Sequence, residues 1–217
     1  MDELLIPFGK DKTTGAIVEP EDAPRGRACN CKCPMCGVPL MSRHPEKGLT
    51  RKHFAHDTRN EQSGPKVECP LTSSASVAMM LRHVANKAIG HKIYTPAWNK
   101  SRSWEVTLEA RNLITGCTAY HEQNGIEPDL VVEIGKHKIA VELKYTGRGQ
   151  GKVKRHSTAD YSAVLYIDCD QFDPKPLRTN SNLRFSHAAL EFLLGETGKK
   201  WTKHPREKEG HPLKRLT

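Results

Sequence analysis

The 217-residue sequence predicts a mixed α/β fold that follows a small metal-binding module. Two observations lead to this prediction. Helical and strand-like patterns alternate from residue 73 onwards, whereas residues 29–72 contain cysteine and histidine but little apolar periodicity. Residues 29–72 are too few to bury a core of their own, so we expect this segment to need a bound metal in order to fold. The predicted units are an N-terminal arm (1–28), the module (29–72), the α/β core (73–194) and a basic tail (195–217).

The α/β core begins with a helix that Ser73-Ser74 can cap and Gly90 ends. A strand-like alternation at 104–109 follows, then a second stretch at 117–121 and a hairpin around Gly135-Lys136. A basic loop leads to a weak helical segment at 153–161 and a buried strand at 164–167. A last helix covers 188–194, with Ser186 as its cap and Gly195 at its end. We therefore read the order of the core as α, β, β, β, α, β.

The hairpin is predicted to carry two carboxylates and an amine on one patch. With a two-residue loop, Asp129 lies opposite Glu142, and Lys144 projects from the same face as Glu142. Opposed residues have Cβ atoms roughly 4.5–5.5 Å apart, so two bare carboxylates would repel each other. A divalent cation between them removes this objection; the alternative is a surface hairpin with scattered charges. The opposite face should be buried and consists of Leu130, Val132, Ile134, Ile139, Val141 and Leu143.

The cysteine and histidine residues of 29–72 have the spacing of a zinc site. Cys33-Pro-Met-Cys36-Gly is typical of a zinc knuckle, in which glycine frees the backbone of the turn. The preferred ligand set is Cys33, Cys36, His56 and Cys69. His53 could replace His56, and the crowding of Cys29 and Cys31 offers further ligands. Free buried thiols are the alternative, but an odd number of cysteines without a signal peptide favours metal over disulfides.

The net charge of +9 and the pI near 9.2 favour a polyanionic partner. A basic loop contains four cations without an acid and is predicted to contact phosphates: Arg148, Lys152, Lys154 and Arg155. The sequence has no run of 18 apolar residues and no signal peptide at its start. We therefore expect a cytoplasmic protein with no membrane partner.

The spacing of Pro128-Asp129 and Glu142-Leu143-Lys144 resembles the PD-(D/E)xK nuclease superfamily, whose core is similar to that of restriction endonucleases. This resemblance implies that Asp129 and Glu142 bind Mg²⁺ or Mn²⁺ together with the backbone carbonyl of Leu143. It also implies that Lys144 orients or deprotonates the attacking water. The chemistry agrees, since hard cations take oxygen ligands and a nearby ammonium stabilises charge on the reacting phosphate.

A longer ordered set of motifs is similar to the competence-protein CoiA-like family, over roughly residues 29–170. The set is Cys-x₂-Cys, His53-Phe54-Ala55-His56, Cys69, a helix with His83-x₃-Lys87, and the hairpin. This resemblance implies a structural Zn²⁺ module fused to a nuclease core that acts on DNA.

Weaker candidates for the site come from the helix and from the strand before the hairpin. His83 and Lys87 share a helix face and could meet phosphate or carboxylates, or could simply be solvated. Glu109, or Glu105, could supply a further carboxylate. We expect a metal-dependent deoxyribonuclease, of the endonuclease type. The alternatives are a zinc-containing DNA-binding module with an inactive core for docking, and a zinc-stabilised structural subunit. A homodimer and a subunit of a larger DNA-processing complex are both compatible with the sequence.

Overall fold

The computed structural model describes residues 5–46, 51–57, 69–99, 106–120, 128–148, 161–180 and 182–205. Its fold is mixed α/β, as the sequence predicts. The N-terminal part contains two small antiparallel sheets. β1 (Gly9–Asp11) lies between β2 (Ile17–Val18) and β3 (Cys31–Lys32), and β4 (Leu40–Arg43) pairs with β5 (His53–His56). Their small core consists of Ala23, Cys29, Cys31, Cys33, Leu40 and Phe54. So small a core cannot by itself stabilise the module.

The first helix, α1 (Ser73–Val84), begins where the sequence predicts. Its cap is Thr72, one residue before the predicted Ser73-Ser74, because the Thr72 hydroxyl accepts the Ala75 N–H at 3.1 Å. A 3₁₀ turn continues the helix as far as Ala88. The apolar positions at helical spacing are all buried: Val77, Met80, Leu81, Val84 and Ala88. The periodicity therefore identifies the packed face of α1 correctly.

Four short strands follow α1, and among the described residues they pair with one another: β6 (Lys92–Thr95), β7 (Trp98–Asn99), β8 (Val106–Thr107) and β9 (Ala110–Leu113). β6 pairs with β9, and β7 pairs with β8. The alternating pattern at 104–109 had predicted a strand of the core that precedes the hairpin in sequence. The described part of that segment instead contains β8 and the link to β9. These two strands belong to two small sheets that are separate from the main sheet. Local alternation predicts a strand but not its pairing partner.

The main sheet has five strands in the order β10–β11–β12–β13–β14. These are β10 (Gly116–Ala119), β11 (Leu130–Ile134), β12 (His137–Lys144), β13 (Ala163–Asp168) and β14 (Lys199–Lys203). Only β12 and β13 are parallel. Residues 149–160, in the connection between β12 and β13, lie outside the described residues and include most of the predicted helix 153–161.

The β11–β12 hairpin has the predicted register. Ile134 pairs with His137 across the two-residue turn Gly135-Lys136, and Leu130 pairs with Val141. Gly135 has φ of +57°, which favours glycine in such a turn. Leu130, Val132, Ile139, Val141 and Leu143 are buried and Ile134 is partly buried, as the alternation predicts.

Two helices and the last strand complete the fold. α2 (Lys175–Thr179) is short, and α3 (Phe185–Leu194) packs against α1. Gly195 ends α3 as predicted, but Ser186 lies inside the helix and Arg184 occupies the cap position. The main sheet extends beyond the predicted boundary at residue 194, because β14 pairs with β13 and Trp201 packs on the core. Phe8 of the N-terminal part stacks on Phe185, so both parts share this core.

Candidate metal centres

The cysteine and histidine side chains predicted to bind zinc converge from three elements. Cys33 follows β3, and a tight turn brings Cys36 back towards it. The Cys33 N–H donates to the Val38 carbonyl at 2.8 Å, and Gly37 within this turn has φ of +75°. His56 is the last residue of β5, and Cys69 precedes α1 by four residues.

The spacing of the four ligand atoms fits a tetrahedral zinc site. The Sγ atoms of Cys33 and Cys69 are 3.7 Å apart, and Cys36 Sγ lies 3.4 Å from His56 Nε2. All four ligand atoms lie within 4.8 Å of one another. Zinc with Zn–S bonds near 2.3 Å and Zn–N bonds near 2.0 Å requires about 3.8 Å between sulfurs and about 3.5 Å between sulfur and nitrogen. The four residues therefore fit a structural Zn²⁺, and the structure brings the predicted set together as a Cys₃His cluster.

Burial influences the thiols of this cluster. It raises the pKa of Cys33, and it raises the pKa of Cys69 to about 12. These thiols therefore hold their protons in the metal-free protein. Because zinc binds thiolates, metal binding releases these protons.

The other candidate zinc ligands lie elsewhere. The Cys29 thiol donates to the Leu40 carbonyl at 3.3 Å, and the Cys31 thiol donates to the Cys29 carbonyl at 3.0 Å. His53 Nδ1 lies 3.0 Å from the Arg51 carbonyl. Cys29 and Cys31 are thus packed core residues, and the choice of His56 over His53 agrees with the structure. Cys117 and Cys169 are also buried, and they lie in the main core.

Asp129 lies at the start of the hairpin and is nearly inaccessible, with 4% of its surface exposed. Its N–H donates to the Val141 carbonyl at 3.0 Å, and its carboxylate accepts the Leu143 N–H at 2.7 Å. Asp129 therefore bonds to the residues on either side of Glu142. The regular register ends at the pair Leu130 and Val141. Asp129 and Glu142 were predicted to be the next cross-strand pair, but they are not paired in this register.

Two arginines neutralise the Asp129 carboxylate. Arg82 of α1 donates to Oδ1, and Arg148 Nη1 donates to Oδ2 at 2.6 Å. The same Arg148 nitrogen also donates to the backbone carbonyl of Leu143. Repulsion between the carboxylates had suggested a divalent cation here. In this structure the positive charge comes from the chain itself.

Glu142 and Lys144 project from one face of β12, since they are two residues apart on a strand. Glu142 is partly buried and pairs in register with Tyr166 of β13. Lys144 is half exposed and pairs with Asp168, with 3.3 Å between Nζ and Oδ2, and its Nζ lies 3.7 Å from Asp170 Oδ2. The hydrogen bond to Asp168 raises the pKa of Lys144, so its side chain is an ammonium at neutral pH.

Asp170 belongs to a hydrogen-bond network behind Lys144. Its carboxylate accepts the N–H and the hydroxyl of Thr146 at 3.1 and 3.0 Å. Burial raises the pKa of Asp170, but hydrogen bonds from Ser74 and Thr146 outweigh it and lower the pKa overall. Thr72, the cap of α1, donates its hydroxyl to the Thr146 carbonyl at 3.1 Å. The network thus joins the start of α1 to the end of β12.

The weaker candidates lie away from these contacts. His83 and Lys87 line a groove with Glu19, Arg184 and His187, and Arg82 is the α1 side chain that reaches Asp129. Burial, and then the charge of Lys87, lowers the pKa of His83. The described contacts do not bring His83 and Lys87 to the hairpin carboxylates, and their predicted contact with phosphate stays a prediction.

Glu109 is exposed and accepts the Tyr94 hydroxyl at 2.9 Å, in the small β6–β9 region. Glu105 lies outside the described residues, as do Lys152, Lys154 and Arg155. Arg148, predicted to contact phosphate, contacts Asp129 instead. Glu109 thus adds no ligand to the described site.

The sequence reasoning missed three site residues: Arg82, Asp168 and Asp170. Asp168 could have been found, because it follows the predicted buried strand 164–167 and parallel strands end at the same edge of a sheet. Arg82 follows the apolar residues of α1 without any signal that separates it from a solvated arginine. A buried aspartate does require a cationic partner, but the sequence does not indicate which one.

Comparisons with family models, curated proteins and solved structures give no match for this chain. Within the described ranges, no helix is long and apolar enough to cross a membrane.

Proposed function

We propose that the protein is a divalent-metal-dependent deoxyribonuclease, of the endonuclease type, with a restriction-endonuclease-like core and a structural zinc module. One observation carries the proposal. The Asp129 carboxylate and the Leu143 carbonyl, two oxygen atoms expected to hold Mg²⁺ or Mn²⁺, converge on one cationic nitrogen of Arg148. A position where two oxygen atoms accept hydrogen bonds from a guanidinium also suits a hard cation, because such cations prefer oxygen ligands.

The residues fit such a cation chemically. Asp129 and the Leu143 carbonyl offer two oxygens, and Glu142 between Val141 and Leu143 offers a third on β12. A divalent cation there would polarise a phosphodiester and acidify a bound water. Lys144 stands two residues beyond Glu142 with its ammonium half exposed. It would stabilise negative charge as it develops on the phosphate, and its pairing with Asp168 holds it in place.

The substrate follows from charge and from the resemblance. The chain carries nine more basic than acidic groups, which favours a polyanion. The order of zinc ligands, helix and hairpin is similar to the CoiA-like family, whose members act on DNA. The basic residues Arg148, Lys152, Lys154 and Arg155 would supply phosphate contacts without sequence preference.

The test is cleavage of plasmid, linear duplex and single-stranded DNA with Mg²⁺ or Mn²⁺. Lys144→Ala should lower the cleavage rate by ~10² or more, the scale of losing one transition-state donor. Lys144→Arg should not restore it fully, because a broad guanidinium does not replace a compact ammonium. Lys138→Ala is the matched control, since Lys138 lies on the same strand and pairs with Glu133 at 3.8 Å. No metal-dependent cleavage of any DNA form, or a wild-type rate for Lys144→Ala, would contradict the proposal.

A second candidate is a zinc-containing DNA-binding module whose core is inactive and docks partners. It is favoured by the two arginines that already neutralise Asp129. DNA binding that is tight and salt-dependent, without cleavage in either metal, would select it.

A further inference from the structure

Arg148 and Arg82 hold Asp129 in different ways. Arg82 reaches Oδ1 from α1, and its side chain is 9% exposed. Arg148 reaches Oδ2 from the turn that follows β12, and its side chain is 21% exposed. Arg82 is therefore part of the packed structure, whereas Arg148 can reach solvent by rotating its side chain.

The backbone directs Arg148 to this position. β12 ends at Lys144, and Gly147 has φ of +91°, a conformation that favours glycine. The Arg148 N–H donates to the Tyr145 carbonyl at 3.2 Å, and its guanidinium carbon lies 5.5 Å from the centre of the Tyr145 ring. This turn returns the side chain to the strand it has just left, where Nη1 meets Asp129 and the Leu143 carbonyl.

Arg148 uses the oxygens that a metal would need. A guanidinium only donates, and each N–H must point at an oxygen lone pair. Mg²⁺ requires oxygens at about 2.0–2.1 Å in a near-octahedral arrangement. The Asp129 carboxylate oxygen and the Leu143 carbonyl oxygen therefore cannot use the same lone pairs for the Arg148 guanidinium and for a metal ion at once.

We propose that Arg148 is a built-in counter-ion that occupies the divalent-cation position in the metal-free protein and is exchanged onto a DNA phosphate when the cation binds. The inference rests on the proposed function, because it concerns the same metal position. A phosphate offers the guanidinium a bidentate, charge-assisted partner in place of Asp129. Cation binding and DNA binding then favour each other, by the same factor in both directions.

The first test is titration of the zinc-loaded full chain with Mn²⁺ alone. Calorimetry and electron paramagnetic resonance measure the Mn²⁺ affinity. Arg148→Ala removes the competitor, so Mn²⁺ should bind about tenfold more tightly or better, the scale of one hydrogen bond to a charged group. Arg111→Ala is the matched control for loss of one positive charge. Arg111 pairs with Glu196 at 3.3 Å on the exposed surface, and its loss should leave Mn²⁺ affinity nearly unchanged.

Glu142→Gln assigns the bound Mn²⁺ to the hairpin, because it removes one expected ligand there. In one outcome the wild type and Arg148→Ala bind Mn²⁺ with equal affinity, and Glu142→Gln abolishes that binding in both backgrounds. This result would overturn the inference and leave the proposed function intact. Weaker binding by Arg148→Ala would also overturn it. Absence of any Glu142-dependent Mn²⁺ binding in both proteins would overturn the inference and the proposed metal site together.

The second test measures the exchange onto DNA. Lys144→Ala slows cleavage, so Mn²⁺ affinity can be measured in that background with and without a short duplex oligonucleotide. The duplex should raise Mn²⁺ affinity when Arg148 is present and raise it much less in the Arg148→Ala double variant. An equal rise in both would overturn the exchange.

Discussion

Removal of Asp129 should destabilise the fold, although the residue lies at a proposed reaction centre. Among the described residues, Asp129 is the one acidic partner of the nearly buried Arg82, whose Nε has no hydrogen-bond partner there. Asp129→Ala leaves that guanidinium buried without a carboxylate. Breaking a buried ion pair in this way costs about 3–5 kcal/mol. The simple hairpin view, in which the apolar face alone carries the packing, predicts almost no change.

Substitution of the other partner, Arg82, should destabilise the fold less. In Arg82→Met the carboxylate of Asp129 keeps Arg148 and the Leu143 N–H, and the methionine fills the space with apolar atoms. The double variant Arg82→Met/Asp129→Ala no longer holds an unpaired buried charge. It should therefore be more stable than Asp129→Ala alone, with a coupling free energy of about 2–3 kcal/mol.

The assay is urea unfolding of all four proteins of this cycle, with zinc in excess so that the module stays folded. The control cycle uses Arg111 and Glu196, an exposed pair with 54% and 65% of the side chains accessible. That pair should couple by less than about 1 kcal/mol. Additive effects of Arg82→Met and Asp129→Ala, or an Asp129→Ala protein as stable as the wild type, would refute the reasoning.

The remaining predictions concern the zinc module, the basic loop and a partly buried lysine. Protein purified without chelator should contain about one Zn²⁺ per chain by elemental analysis. Chelation or Cys36→Ser should unfold the module, because structural zinc contributes on the order of 10 kcal/mol of apparent folding free energy. Replacing Lys152, Lys154 and Arg155 with alanine should weaken DNA binding equally for all sequences and reduce the salt slope by roughly 0.9 per lost phosphate contact; a changed sequence preference with an unaltered slope would contradict this. Burial lowers the pKa of Lys199 to about 7 from 10.5, so the folded state loses this proton first and stability should rise with pH between those values. Lys199→Met should flatten this rise in urea midpoints, and an unchanged profile would count against it.

The sequence predicts local patterns well in this chain. The hairpin register follows from a two-residue turn and alternation, so Ile134 opposite His137 could be predicted without tertiary information. The Cys₃His cluster follows from chemistry, because a zinc site with Cys33 and Cys36 needs two further cysteine or histidine ligands and few are available downstream.

Long-range pairing was harder to predict. β14 contains three lysines and one tryptophan, so its composition indicates a tail, yet it completes the sheet by backbone hydrogen bonds with β13. Arg82 and Arg148 reach Asp129 from 47 and 19 residues away in sequence. Their charges look the same as those of solvated arginines, and only the fold selects them.

The connection between Cys69 and Thr72 bears on how the protein matures. Only Pro70 and Leu71 separate Cys69, the last residue of the Cys₃His cluster, from Thr72, which caps α1 and donates to the Thr146 carbonyl beyond β12. If the cluster binds zinc, a newly synthesised chain that has not yet acquired the metal would lack this anchor for residues 69–72. On the proposed function, we expect such a chain to be an immature, hydrolytically silent form. Supply of a trace element that takes no part in the reaction would then set the moment at which the protein becomes able to damage DNA.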